Sequence, residues 1–244
     1  MLLQDKVVLV VGASTGIGHD AALLFAEEGA SVVVAARSHD ALEELTAALP
    51  EGRATAVVGD VTSPSDVARM VDAAVATYGR LDGALNNAAF TQTGRLDEVP
   101  EDEFDRIMQV NVKGVWLCLR EELRVMRAAG RGAIVNTASV AGYRGASDVG
   151  AYTASKHAVV GLSRTAAHDN GPDGIRVNVV APGPTATPML AHIPPAAVQQ
   201  RLDRMPLRKL GQPREVAEAA AWLLSDRASH VTGVVLPVEG GYTA

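Results

Sequence analysis

Close to the N-terminus an apolar run, Lys6 to Val11, stops at Gly12, and Ala13, Ser14, Thr15, Gly16, Ile17 and Gly18 follow it. A helical pattern then continues through Ala21, Leu24 and Phe25 to Gly29. A short apolar run closed by glycine reads as a buried strand. Strand, glycine turn and helix in that order let backbone N–H groups and a helix N-terminus hold a pyrophosphate, because glycine admits close approach. The spacing is Gly-x-x-x-Gly-x-Gly, not the Gly-x-Gly-x-x-Gly of the commoner dinucleotide fingerprint. Glycines in a turn can also serve packing alone; the flanking strand and helix favour the binding reading.

The same alternation repeats along the chain. Further strands are expected at Ser31 to Ala36, Ala54 to Val58, Leu81 to Leu85, the run around Ile134, Ile175 to Ala181, and Val234 to Val238. Between them, helical patterns cover Asp66 to Tyr78, Glu101 to Met126 as one long helix, Gly150 onward, and Glu215 to Leu224. At 244 residues this predicts one α/β domain, a Rossmann-like doubly wound parallel sheet of about seven strands with helices on both faces. Ligands of such sheets bind beyond the strand carboxyl ends. Gly12, Arg37, Asp60, Asn87 and Ser139 all fall at such ends. The stretch 185–208, rich in proline, alanine and polar residues, suits a substrate lid.

A net charge of −6 argues against a nucleic-acid or anionic-membrane surface. No run approaches the length of a membrane span. The one cysteine, Cys118, has no partner for an internal disulfide, which fits a reducing compartment. A cytoplasmic location and no metal site are the expectation.

Chemistry concentrates between Ile134 and Lys156. The strand around Ile134 delivers Ser139 to its end, and Tyr152 and Lys156, four apart on a helix, share one face. A phenol has a reference pKa near ~10, and a neighbouring ammonium is expected to lower it. Ser139 can donate a hydrogen bond to a carbonyl or alcohol oxygen as charge develops there. Together these make a proton-transfer site for a C–O centre. At the end of the second strand, where an acid would bind an adenosine ribose 2′-OH, the chain has Ala36, then Arg37 and Ser38. This favours NADP(H), with NAD(H) left open. A solvated arginine, paired with Asp40, Glu43 or Glu44, is the competing reading.

In this order and spacing, the Gly12, Gly16, Gly18 turn, Asp60, Asn86-Asn87-Ala88, Asn111, Ser139, Tyr152-x-x-x-Lys156 and Pro182-Gly183 resemble the short-chain dehydrogenase/reductase family from about Lys6 to Tyr242. The resemblance implies Tyr152 as general acid/base, Lys156 as its pKa modulator and a ligand of the nicotinamide ribose, and Ser139 polarising the substrate oxygen. It also implies that Asn111 holds a water linked to Lys156, that Asp60 and Val61 meet the adenine, and that Thr185 and Thr187 meet the carboxamide. A homo-oligomer, most often a tetramer, is implied as well. Three positions depart from the family pattern: Val11, Ala89 and Thr185. Ala89 stands where glycine is usual and would be strained if its φ were positive. The expected substrate is a small neutral ketone or secondary alcohol in a pocket lined by Val140, Tyr143, Val149, Met189, Leu190, His192 and Ile193, with Arg144 the one candidate anion clamp. Two alternatives are a 3-oxoacyl-carrier-protein reductase, disfavoured by the acidic Asp173 where a basic residue is frequent, and a catalytically idle dinucleotide-binding module.

Overall fold

The computed structural model describes residues 1–193 and 195–244; the side chains of Ala191 and His192 also lie outside the described residues. Among these, seven strands form one parallel sheet: β1 (Val7–Val11), β2 (Ser31–Ala36), β3 (Ala54–Val58), β4 (Gly83–Asn86), β5 (Gly132–Thr137), β6 (Ile175–Pro182) and β7 (Val235–Val238). Their order is β3-β2-β1-β4-β5-β6-β7. The helices are α1 (Gly16–Glu27), α2 (His39–Ala47), α3 (Pro64–Tyr78), α4 (Glu101–Met108), α5 (Gly114–Ala129), α6 (Gly150–Asn170), α7 (Pro195–Asp203) and α8 (Pro213–Leu224).

The central strands are apolar on both faces because both faces are covered. Successive residues of a strand point to opposite sides. Val8 and Val10 join Val32 and Val34 in the layer under α1 and α8, while Val7, Leu9 and Val11 join Val33 and Ala35 against α3, α5 and α6. Each fully buried valine or leucine stabilises the fold by ~1.5–3 kcal/mol. Strand order reverses between β1 and β4, where Val11 pairs with Asn86, so the residues that follow them, Gly12 and Asn87, meet at the crevice.

Four expectations change. The helix expected to run unbroken from Glu101 to Met126 is α4 and α5 joined by a π-helical turn, Gln109–Lys113. The wider turn directs Asn111 inward, where it is fully buried. Helix α2 has no counterpart in the sequence reading; it is short and charge-rich, and its signal is the spacing of Leu42, Leu45 and Leu49, all buried. The expected lid carries structure of its own, a 3₁₀ turn at Pro188–His192 followed by α7. Ala89 is under no left-handed strain: among the described non-glycine residues, positive φ occurs at Asp5, Asp148 and Arg208.

Candidate active site

One cavity of about 1000 Å³ runs along the carboxyl ends of the strands, from Arg37 and Asp60 past the glycine turn to Ser139 and Tyr152, and is covered by residues of the 185–208 segment. The sequence-predicted residues lining it are Gly12, Ser14, Thr15, Gly16, Ile17, Arg37, Asp60, Val61, Asn87, Ser139, Tyr152, Lys156, Pro182, Gly183, Thr185 and Thr187. Gly18, Ser38 and Asn111 lie outside this lining.

Each exception has a structural cause. A Cβ at Gly18 would sit 2.1 Å from the Gly12 carbonyl oxygen, so this glycine seats α1 against the turn. The Ser38 hydroxyl caps α2, accepting from the Ala41 N–H at 3.4 Å. Asn111 accepts from the Phe90 N–H at 2.7 Å and donates to the Phe90 carbonyl at 2.8 Å and to Ser155 Oγ at 3.0 Å. Both of its donor hydrogens are therefore used by protein. Asn111 fixes the loop after β4 to α6, a bracing role that the sequence reading did not contain.

The three residues expected from the sequence to be catalytic converge from two elements. Ser139 follows β5, and α6 supplies Tyr152 and Lys156; Ser155 on the same helix donates to the Tyr152 carbonyl at 2.7 Å. Lys156 is 2 % exposed, its Nζ donates to the Thr137 carbonyl at 2.8 Å, and it lies 5.5 Å from the Tyr152 ring centroid. Burial pushes the Tyr152 phenol up to about 12, against a smaller opposing pull from the Ser139 hydroxyl. Burial also brings the Lys156 ammonium down to about 8. The expectation that Lys156 lowers the phenol is thus not met here: desolvation disfavours both charged forms, and the ammonium spends a hydrogen bond on a backbone carbonyl.

The glycine turn fits a dinucleotide pyrophosphate. Gly12 has φ +83°, and a Cβ there would lie 2.5 Å from the Ala88 nitrogen. Gly16 has φ +57°, and a Cβ there would reach Thr187 Cγ2 at 3.1 Å, so side chains would fill the cradle. Thr15 makes no side-chain cap and the first turn of α1 carries no acid, which leaves its N–H groups to an anion. The Asn87 amide holds the wall by donating to the Gly12 carbonyl at 3.2 Å. Asp60 accepts from the Thr62 N–H at 2.8 Å through one carboxylate oxygen.

Arg37 is exposed at the cavity rim. The nearby acids Asp40 and Glu43 lie against His39 instead, at 3.6 and 3.5 Å. Of the expected pocket wall, Val140, Val149, Met189, Leu190 and Ile193 line the cavity. Tyr143 instead turns its hydroxyl to Thr243 Oγ1 at 3.2 Å, and the His192 side chain is outside the described residues. The sequence reading missed Phe90 to Thr93, Arg106, Arg201, Arg204 and Tyr242, all of which line the cavity. For the first group the position just beyond Asn87, at a strand end, was an available signal. Asp173 lies before the start of β6, at the opposite end of that strand from Pro182 and the cavity. It cannot repel a partner at the cavity mouth.

Comparison with known proteins gives a consistent result. A family model described as enoyl-(acyl carrier protein) reductase matches residues 12–243. The 2,5-dichloro-2,5-cyclohexadiene-1,4-diol dehydrogenase of Sphingobium indicum is 43% identical, covering 99% of this chain and 98% of its own. The A-factor type gamma-butyrolactone 1'-reductase (1S-forming) of Streptomyces virginiae is 44% identical, covering 99% and 97%. The crystal structure of levodione reductase superposes with a TM-score of 0.94 at 36% identity, covering 98% of each chain.

Proposed function

The chain belongs to the short-chain dehydrogenase/reductase family of oxidoreductases, and from that premise we propose that it moves hydride between NADP(H) and a small neutral ketone or secondary alcohol, most suitably a cyclic one. The observation that carries this is the single cavity joining the glycine cradle to Ser139, Tyr152 and Lys156. When bound, the dinucleotide supplies or accepts the hydride. The chain's own residues manage the oxygen. Ser139 donates a hydrogen bond to it, and the phenol of Tyr152, held protonated at neutral pH by burial, gives up its proton as negative charge develops. Lys156, held by the Thr137 carbonyl, keeps a positive charge beside the ring and would bind the nicotinamide ribose of the dinucleotide.

Support for NADP(H) comes from Arg37, which is left without a carboxylate among the described residues at the end of β2, where Ala36 stands in place of an acid. Support for a ring substrate comes from the similarity to enzymes named for cyclic diols, lactones and diones, and from the aliphatic wall of Val140, Val149, Leu190 and Ile193. The test is kcat/KM with both cofactors on a panel of cyclic and open-chain ketones. NADPH is expected to be preferred, and Ala36→Asp to swing the preference toward NADH. A wild-type preference for NADH of tenfold or more would refute the cofactor assignment.

Reduction of 3-oxoacyl groups on an acidic carrier protein is the second reading, favoured by Arg201 and Arg204 at the cavity and by a matching family model named for a reductase of carrier-protein substrates. A 3-oxoacyl thioester turned over at least tenfold better than any ring ketone would establish it. We further propose a homotetramer in a cytoplasmic setting. Support for the assembly is the partly exposed apolar strip on α4 and α5, where Phe104 is 39% and Trp116 45% exposed. Among the described residues no helix is long and apolar enough to cross a membrane.

A further inference from the structure

The first turn of α6 carries Tyr152, and Val149 opens that helix without a side-chain cap. Two ties from the loop after β4 hold the turn instead. Before the helix begins, the Gly94 N–H donates to the Asp148 carbonyl at 2.8 Å, and Gly94 pairs with Val149 in an isolated parallel bridge. One turn further in, the tie runs through side chains. Asn111 grips both backbone groups of Phe90 and donates to Ser155 Oγ at 3.0 Å, and Ser155 donates in turn to the Tyr152 carbonyl at 2.7 Å. Asn111 and Ser155 are both fully buried, so solvent does not compete for these bonds. Phe90 lines the cavity, its ring centroid 4.1 Å from the Arg106 guanidinium carbon. Lys156 has an anchor of its own on β5, the Thr137 carbonyl at 2.8 Å.

A serine hydroxyl has one hydrogen to give and lone pairs to accept with, and Ser155 uses both capacities along this one line. We propose that Ser155 is a positioning residue for the proton transfer: by tying the Tyr152 backbone to the loop that walls the cavity, it keeps the phenol in register with Ser139. It acts through Tyr152 and does not touch the reacting oxygen. Removing its Oγ frees the Tyr152 carbonyl from the side-chain bond and leaves one Asn111 N–H buried without an acceptor, which is costly to tolerate without movement. A misplacement of about 1 Å in a reacting group can cost ~10²-fold in rate. The bond from Lys156 to Thr137 does not pass through Ser155, so the rate of the chemical step should suffer where cofactor binding does not. This rests on the ketone-reductase reading above and names what holds its general acid in place.

The test compares Ser155→Ala with wild type in the reduction of cyclohexanone by NADPH, or of whichever ketone of the panel wild type reduces best. The expected result is a fall in kcat of tenfold or more, with KM and the NADPH Kd from fluorescence titration each within threefold of wild type. The solvent deuterium isotope effect on kcat should rise as well, because a displaced phenol makes proton transfer the slower event. A merely structural role would lower the melting temperature and weaken kcat and NADPH binding together, with the isotope effect unchanged. That pattern overturns the proposal, as does a folded Ser155→Ala whose kcat stays within tenfold of wild type; neither touches the ketone-reductase reading. If wild type reduces no ketone of the panel with either cofactor, that reading falls and the proposal falls with it. Should Ser155→Ala not fold, Ser155→Cys decides, since a thiol keeps roughly the same shape and is a weaker donor: a larger isotope effect with NADPH Kd unchanged supports the proposal, and an unchanged isotope effect overturns it.

Discussion

Burial moves the proton affinities that matter in this protein: Tyr152 up to about 12, Lys156 down to about 8 and Glu122 up to about 7. A phenol that stays protonated at neutral pH suits carbonyl reduction, and the reverse reaction must first remove its proton. The ratio of alcohol oxidation to ketone reduction is therefore expected to rise with pH from 7 toward about 12, because only oxidation must first deprotonate Tyr152, whereas loss of the Lys156 charge near pH 8 acts on both directions; parallel pH profiles would contradict it. Tyr152→Phe removes the transferable proton alone, so kcat should fall by ~10² to 10⁴ while NADPH affinity in a fluorescence titration stays near wild type. Glu122 is buried between α5 and the sheet, accepting from Asn86 Nδ2 at 3.0 Å, with its other oxygen unpartnered. Its folded pKa lies above the ordinary carboxylate value of 4.5, so the unfolded chain loses that proton first as pH rises. Stability from this group is complete below about pH 4.5 and is lost as pH climbs through about 7. Wild type should accordingly lose on the order of 1–3 kcal/mol relative to Glu122→Gln between pH 5 and 8 in urea titrations. An unchanged difference would show that Glu122 does not ionise in that range.

At the level of elements, the glycine turn and the π-helical turn do comparable work in opposite ways. One removes side chains so that backbone can approach, and the other adds width so that a side chain can point inward. Gly18→Ala would place a methyl 2.1 Å from the Gly12 carbonyl oxygen, forcing α1 away from the turn. NADPH affinity is expected to fall at least tenfold with little change in fold by circular dichroism; an unchanged dissociation constant would show that the turn does not hold the cofactor. The glycine turn was legible in the sequence because apolar runs and glycine act locally. The π turn was not, since Asn111 faces inward for the sake of Phe90 and Ser155, 21 and 44 residues away along the chain. Ser38 shows what a local reading leaves out: it is expected as a ligand of the cofactor because it follows a strand end, and a helix beginning at His39 takes its hydroxyl as a cap.

For the molecule as a whole, the partly exposed Phe104 and Trp116 on α4 and α5 predict that the chain does not remain alone, and light scattering after gel filtration should give a tetramer mass at micromolar concentration. A monomer mass would refute the assembly. By itself the sequence determined the alternation of strand and helix, the wrapping of both sheet faces, and the placement of Gly12, Asp60, Asn87 and Ser139 at strand ends. Hydrophobic period, glycine and strand termini are written in neighbouring residues. Tertiary structure alone decided which way the buried acids and bases shift, and that Tyr242 comes to rest on Arg144, 98 residues earlier. Desolvation and contacts between distant segments exist only once the chain has closed on itself.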